Sequence, residues 1–231
     1  MSRTLNVVRM QLVNRQTYIW VPLLVLGGAF VISLAIWGLL SSGGVDTAKY
    51  GGGAQAPLWY FAVVGAQALT RTFPFSQAMS VTRREFYLGT LLTAALTSAL
   101  LAAVFVVGGL VERATNGFGF NGYFFALDWL WGAGPLMAGL FYFAMAMLFF
   151  VVGFTGAAVY KRFGNVWLTT GIIVIALLLI GALWVIGQAD AWGTVFGWFA
   201  ESGVGLLVAI MAGLAAVLAA ASFPALRRMV P

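Results

Sequence analysis

The chain has 231 residues, of which 62% are hydrophobic and only 8% charged; a water-soluble fold needs a more polar exterior, so the solvent is lipid. Cysteine and histidine are both absent, which excludes disulfides, thiol chemistry, haem held by either residue, zinc sites built from them and a histidine-dependent intramembrane protease. The net charge of +6 is divided into small clusters between apolar runs, a pattern of membrane topology rather than of a nucleic-acid patch.

A spanning helix takes roughly 20 apolar residues, so this length accommodates six spans with short loops in a single transmembrane domain, 1–231. Residues 1–16 carry Arg3, Arg9 and Arg15 among Leu5, Val8, Leu12 and Val13 and read as an interfacial N-terminal segment. The first span is expected at 17–40. It is longer than the apolar stretch of a cleaved signal peptide and no A-x-A-like site ends it, so it reads as an uncleaved helix.

Residues 41–56 form a Gly-rich polar loop. A second span over 57–79 contains Arg71 and Pro74, and the proline predicts a kink or break in it. A short polar turn follows, in which Thr82 with Glu85 three residues later matches a capping box and starts the third helix. That helix is expected over 83–111.

The segment 112–133 is polar at its start and aromatic at its end, as in an interfacial or re-entrant piece. The fourth span covers 134–158 and ends at Lys161 and Arg162. The fifth covers 165–187 and the sixth 203–224, stopping at Pro224 with Arg227 and Arg228 behind it. Gly171, Gly181, Gly205 and Gly213 are candidates for close helix packing. No internal repeat is visible, so the usual hint of an inverted-repeat carrier is missing.

With both termini inside, the cytoplasmic segments hold Arg3, Arg9, Arg15, Arg83, Arg84, Lys161, Arg162, Arg227 and Arg228, whereas the outer loops hold Lys49 and Arg113. This is the positive-inside pattern. Asp46, Glu112, Asp128, Asp190 and Glu201 fall outside and Glu85 inside, so no carboxylate is expected near a midplane, where a proton- or sodium-coupled pump would place one. Arg71 stands apart within a span, on the order of 18 Å along a helix from Arg83. It contacts an anionic substrate group, a lipid phosphate or a helix C-terminus, or else it snorkels to the headgroups past a helix broken near Pro74. Arg71 and Pro74 are therefore the substrate-path candidates. No nucleophile with a base, paired carboxylates, metal cluster or phosphate-binding P-loop is present, so the chain is not expected to be an enzyme or to hydrolyse ATP itself.

The stretch FPFSQAMSVTRREFYLGTLL, residues 73–92, resembles the connection between the second and third helices in permease subunits of bacterial ABC transporters of the type-2 exporter class. The length, the six-helix layout and the interfacial N-terminal segment are similar too. The resemblance implies that Ser80, Val81, Thr82, Arg83, Arg84, Glu85 and Phe86 form a cytoplasmic coupling element that docks in a groove of a separate ATP-binding subunit. It implies a permease in a bacterial plasma membrane, paired with itself or a sister permease and with two ATPase subunits. The cofactors, ATP and Mg, belong to the ATPases and none to this chain. The expected activity is export of a hydrophobic or amphipathic compound such as a drug, antibiotic, peptide or lipid-like molecule. The plainer reading of Arg83 and Arg84 is that they pin a helix to anionic lipid. A non-transporting scaffold or sensor subunit, and a channel or secondary carrier, remain as alternatives.

Overall fold

A computed structural model describes residues 3–227, apart from the side chain of Ala200; Arg228 lies outside the described residues. The chain is helical nearly throughout. An N-terminal helix α1 (Arg3–Val13) leads through a π-helical turn (Gln16–Trp20) into α2 (Val21–Ser42). After a two-residue strand β1 (Lys49–Tyr50) come α3 (Ala56–Gln67), a π-helical turn (Ala68–Thr72) and α4 (Phe73–Ala78). Helix α5 (Arg83–Ala114) is followed by β2 (Gly122–Tyr123), α6 (Asp128–Trp131), α7 (Pro135–Phe163), α8 (Asn165–Gln188) and α9 (Trp192–Arg227).

Among the described residues, five stretches are long and apolar enough to cross a bilayer: Gln16–Ser42, Arg83–Ala114, Pro135–Phe163, Asn165–Gln188 and Glu201–Arg227. Each coincides with an expected span to within a few residues. The chain is thus an all-α, multi-pass membrane-embedded protein. The expected span over 57–79 is instead three helical pieces in succession. Pro74 cannot donate a backbone hydrogen bond, and its ring crowds the carbonyl of residue 70, so the preceding turn widens to a π-helix. Helix α9 continues through Pro224 to Arg227, where the sequence suggested a stop; its own break lies earlier, at Gly203, with φ of 67°.

The α7 helix is central and packs against α3, α5 and α9. Its approach to α3 depends on two glycines. A methyl group added at Gly65 would lie 2.0 Å from the Phe150 carbonyl oxygen, and one at Gly153 would lie 1.8 Å from that of Ala62. Small residues of this kind let helix backbones touch in lipid, where no hydrophobic force drives helices together. The glycines singled out from sequence are not of this kind: nothing lies within 4 Å of the corresponding position at Gly171, Gly181, Gly205 or Gly213. Helix α8 buries none of its residues, and its sides present Ile, Leu and Val to the surroundings.

The N-terminal helix packs onto α5. Val7 fills the notch left by Gly89 on α5. Buried Gln11 donates from Nε2 to Thr90 Oγ1 at 2.8 Å, and Arg3 approaches Glu85 at 3.9 Å. These contacts tie α1 to the first turns of α5.

The α3–α7 contact yields a direct expectation. Gly153→Val forces the two backbones apart, a steric cost of about 1–3 kcal/mol or more, and should lower the thermal midpoint of the detergent-purified chain by several degrees. Gly171→Val meets open space and should leave it unchanged; equal behaviour of the two variants would contradict the crossing.

Candidate functional site

Of the residues singled out by sequence, Ser80 to Phe86 lie at one end of the bundle, where α4 gives way to α5. Helix α4 ends in a hydrogen-bond pattern that reuses its last carbonyls: Val81 N donates to Ser76 O at 3.1 Å and Ser80 N to Gln77 O at 3.1 Å. This is a Schellman ending, with Ser80 in the left-handed region at φ 57°, a place more often held by glycine or asparagine. The Gln77 side chain adds a bond to Val81 O at 3.1 Å. Immediately afterwards Thr82 caps α5. Its Oγ1 accepts from Glu85 N at 3.3 Å, and Glu85 Oε2 accepts from Thr82 N at 3.0 Å. Both halves of the expected capping box are present. Two helices are therefore joined through Ser80 and Val81, with their exposed backbone groups satisfied locally.

The two arginines have different surroundings. Arg83 is half-buried, and its guanidinium donates to the carbonyls of Leu226 and Arg227 at the end of α9. A cation there satisfies orphan carbonyls and the negative end of the helix dipole. Arg84 is exposed. Phe86 is fully buried and packs edge-to-face on Phe73, with centroids 5.2 Å apart. The apolar side chains that the turn presents outward are Phe75 and Met79, each more than half exposed. Neither stands out in the sequence, because their direction depends on where α4 ends.

Arg71 sits in the π-helical turn, exposed, and interacts electrostatically with the Tyr60 phenol about three turns earlier. The side chain of its neighbour Thr72 meets that of Tyr18, so these two π-helical turns lie side by side. Pro74 is exposed in the first turn of α4. Arg71 and Pro74 belong to the same helical path as the turn, but the capping and docking contacts described above do not involve them.

The opposite end of α5 carries a feature that sequence reasoning missed. Glu112, fully buried, accepts three consecutive backbone N–H groups: Phe124 at 2.9 Å and Phe125 at 3.0 Å on Oε2, and Ala126 at 2.8 Å on Oε1. Such charge-assisted bonds are what make a buried carboxylate tolerable. The Phe125 carbonyl is held in turn by Trp131 Nε1 at 3.0 Å and by Tyr142 Oη at 3.1 Å. The segment 112–133 thus folds into a crown over the bundle. β1 and β2 join it in parallel register, Lys49 opposite Gly122 and Tyr50 opposite Tyr123. Lys49 donates to Phe120 O at 3.0 Å, and Tyr50 donates to Asp128 at 2.8 Å. That bond holds the Tyr50 phenol above its usual pKa, because the neighbouring carboxylate disfavours phenolate. Arg113 lies 5.7 Å over the Trp131 ring. The sequence hint was slight: an acid flush with the end of a long apolar helix.

Among the described residues no cluster of acids capable of holding a metal occurs.

The two ends of α5 can be probed separately. Thr82→Ala removes the cap and should cost about 1 kcal/mol, read as faster hydrogen exchange at the first amides of α5, whereas Arg84→Ala should not change that exchange. Glu112→Gln leaves one amide nitrogen facing backbone donors, so exchange at residues 124–126 should rise at least about tenfold, the equivalent of one lost hydrogen bond. Protection that survives at all three amides would show that the carboxylate does not hold the crown.

No protein-family description, curated protein or solved structure matches the chain.

Proposed function

We propose that the chain is the membrane-spanning permease subunit of an ATP-driven exporter of the ABC type, working with separate ATPase subunits and a second permease in a bacterial plasma membrane. The observation that carries this reading is the build of the 73–86 turn. Two helices meet with both ends capped, so a push on the turn moves them as solid pieces instead of fraying them. The turn also exposes Phe75, Met79 and Arg84, side-chain types that are enriched at the centres of protein interfaces. In this reading Arg84 and the two apolar side chains meet the ATPase, and Ser80, Val81, Thr82 and Glu85 keep the turn stiff. Phe86 and Arg83 tie it to the bundle core and to α9.

The transport topology belongs to the same proposal. The helical path 56–78 is about 34 Å long at 1.5 Å per residue if unbent, enough to serve as the sixth span despite its π-helical turn. Both termini and the 80–86 turn then lie in the cytoplasm, in keeping with the distribution of arginine and lysine, and the crown lies outside. The compound exported is hydrophobic or amphipathic. ATP and Mg bind the partner, and the chain itself is not an enzyme.

Co-purification tests the assignment. The chain extracted in mild detergent should retain a soluble P-loop ATPase and stimulate its hydrolysis; failure of both sinks the proposal. Phe75→Asp combined with Arg84→Glu should abolish retention of the ATPase, a loss of about 2–4 kcal/mol of interface energy, with no change in thermal midpoint. Arg71→Leu separates its two readings: transport lost with assembly intact marks a substrate contact, and transport unchanged marks a snorkelling side chain.

A further inference from the structure

Between α3, α7 and the crown lies a cavity of about 320 Å³, within the range of small-molecule sites. Its wall includes Leu58 of α3, Leu127 and Trp129 of the crown, and Phe141, Tyr142 and Phe149 of α7. No charged side chain lines it. A charged guest would therefore give up hydration there without gaining an ionic partner, which disfavours it. The exposed Gln55 at its rim supplies one hydrogen-bond donor and one acceptor group.

The walls are fixed independently of any guest. Trp129 meets Phe141 edge-to-face at 5.4 Å and Phe141 meets Tyr142 in the same manner at 5.7 Å. Tyr142 is tethered to the Phe125 carbonyl. Leu127 follows directly on the three residues clasped by Glu112, and α6, which carries Trp129, is held by the Tyr50–Asp128 bond. Rings set at right angles favour a flat apolar guest, which can stack on one face while meeting the edge of the next.

We propose that this cavity is a binding site for a neutral, apolar, ring-bearing molecule, with Glu112 as the residue that positions its crown-side wall. It rests on the export reading only for the guest's origin, as a compound in transit. Occupancy is a property of this chain alone and is measured without an ATPase.

The test uses the full chain in phosphatidylcholine nanodiscs, photolabelled with a neutral iodophenyl diazirine. Labelling at residues 127–129 and 141–145 should saturate with probe concentration and be competed by excess iodobenzene. Labelling of α8, which faces its surroundings on all sides, should rise linearly and resist competition. Gly52→Leu adds a side chain at the cavity lining where nothing lies within 4 Å, and should reduce the saturable component at least about fivefold while α8 labelling stays the same. Should that variant fail to fold, as judged by α8 labelling, Met145→Phe serves instead. Glu112→Gln should weaken saturable labelling through the loosened wall. Linear, uncompeted labelling at the cavity would mean that a lipid chain fills it, and saturable labelling there by a quaternary-ammonium diazirine would refute the requirement for a neutral guest. Either result overturns the inference, as does saturable labelling that survives the filling variant. Loss of ATPase co-purification leaves it standing.

Discussion

Two carbonyl oxygens set the spacing of the bundle. Those of Ala62 and Phe150 sit against Gly153 and Gly65, so α3 and α7 approach to the limit that backbone atoms allow. Lipid gives no hydrophobic reward for bringing helices together, and close contact must supply the attraction. With α3 fixed on one side, α7 offers its remaining faces to α5 and α9, and its N-terminal half supplies Tyr142 to the crown and Phe141 and Phe149 to the apolar cavity. The same crossing thus fixes both the core and one wall of the proposed binding site.

The two ends of the molecule solve the same problem differently. At the 80–86 turn, backbone groups freed by helix termini are satisfied by short-range bonds from Ser80, Val81, Thr82 and Glu85, and by Arg83 reaching α9. At the crown, backbone donors freed by an irregular loop are gathered by one carboxylate, Glu112. Irregular backbone near a bilayer persists only where protein satisfies its polar groups. The basic residues of the crown are engaged as well, Lys49 with a carbonyl and Arg113 with an indole ring.

The long apolar helices were legible because hydropathy and length act locally, and Thr82 with Glu85 was legible because a capping box is a three-residue interaction. The substitution of a π-helical turn for a simple kink before Pro74 was partly visible, since the proline announces a lost bond but not how the chain absorbs it. The packing glycines were not legible. Gly65 and Gly153 lie 88 residues apart in sequence (153 − 65) and differ from Gly171 or Gly181 only in what stands opposite them. Phe75, Met79 and Phe86 likewise look alike as apolar residues near a turn, and only the end point of α4 decides which face outward. Glu112 resembled an ordinary loop acid because its three partners belong to a segment with no periodic signal.

Helix α5 connects the two ends without interruption. From Arg83 to Glu112 it spans about 43 Å at 1.5 Å per residue, with its capped start in the turn and its buried carboxylate under the crown. A rod of that length is a lever: a tilt of about 5° at one tip displaces the other by about 4 Å, the rise of two to three helical residues. A nudge too small to unfold the turn is therefore large enough, at the far tip, to shift residues 124–126 and, with them, the adjoining Leu127 wall of the cavity.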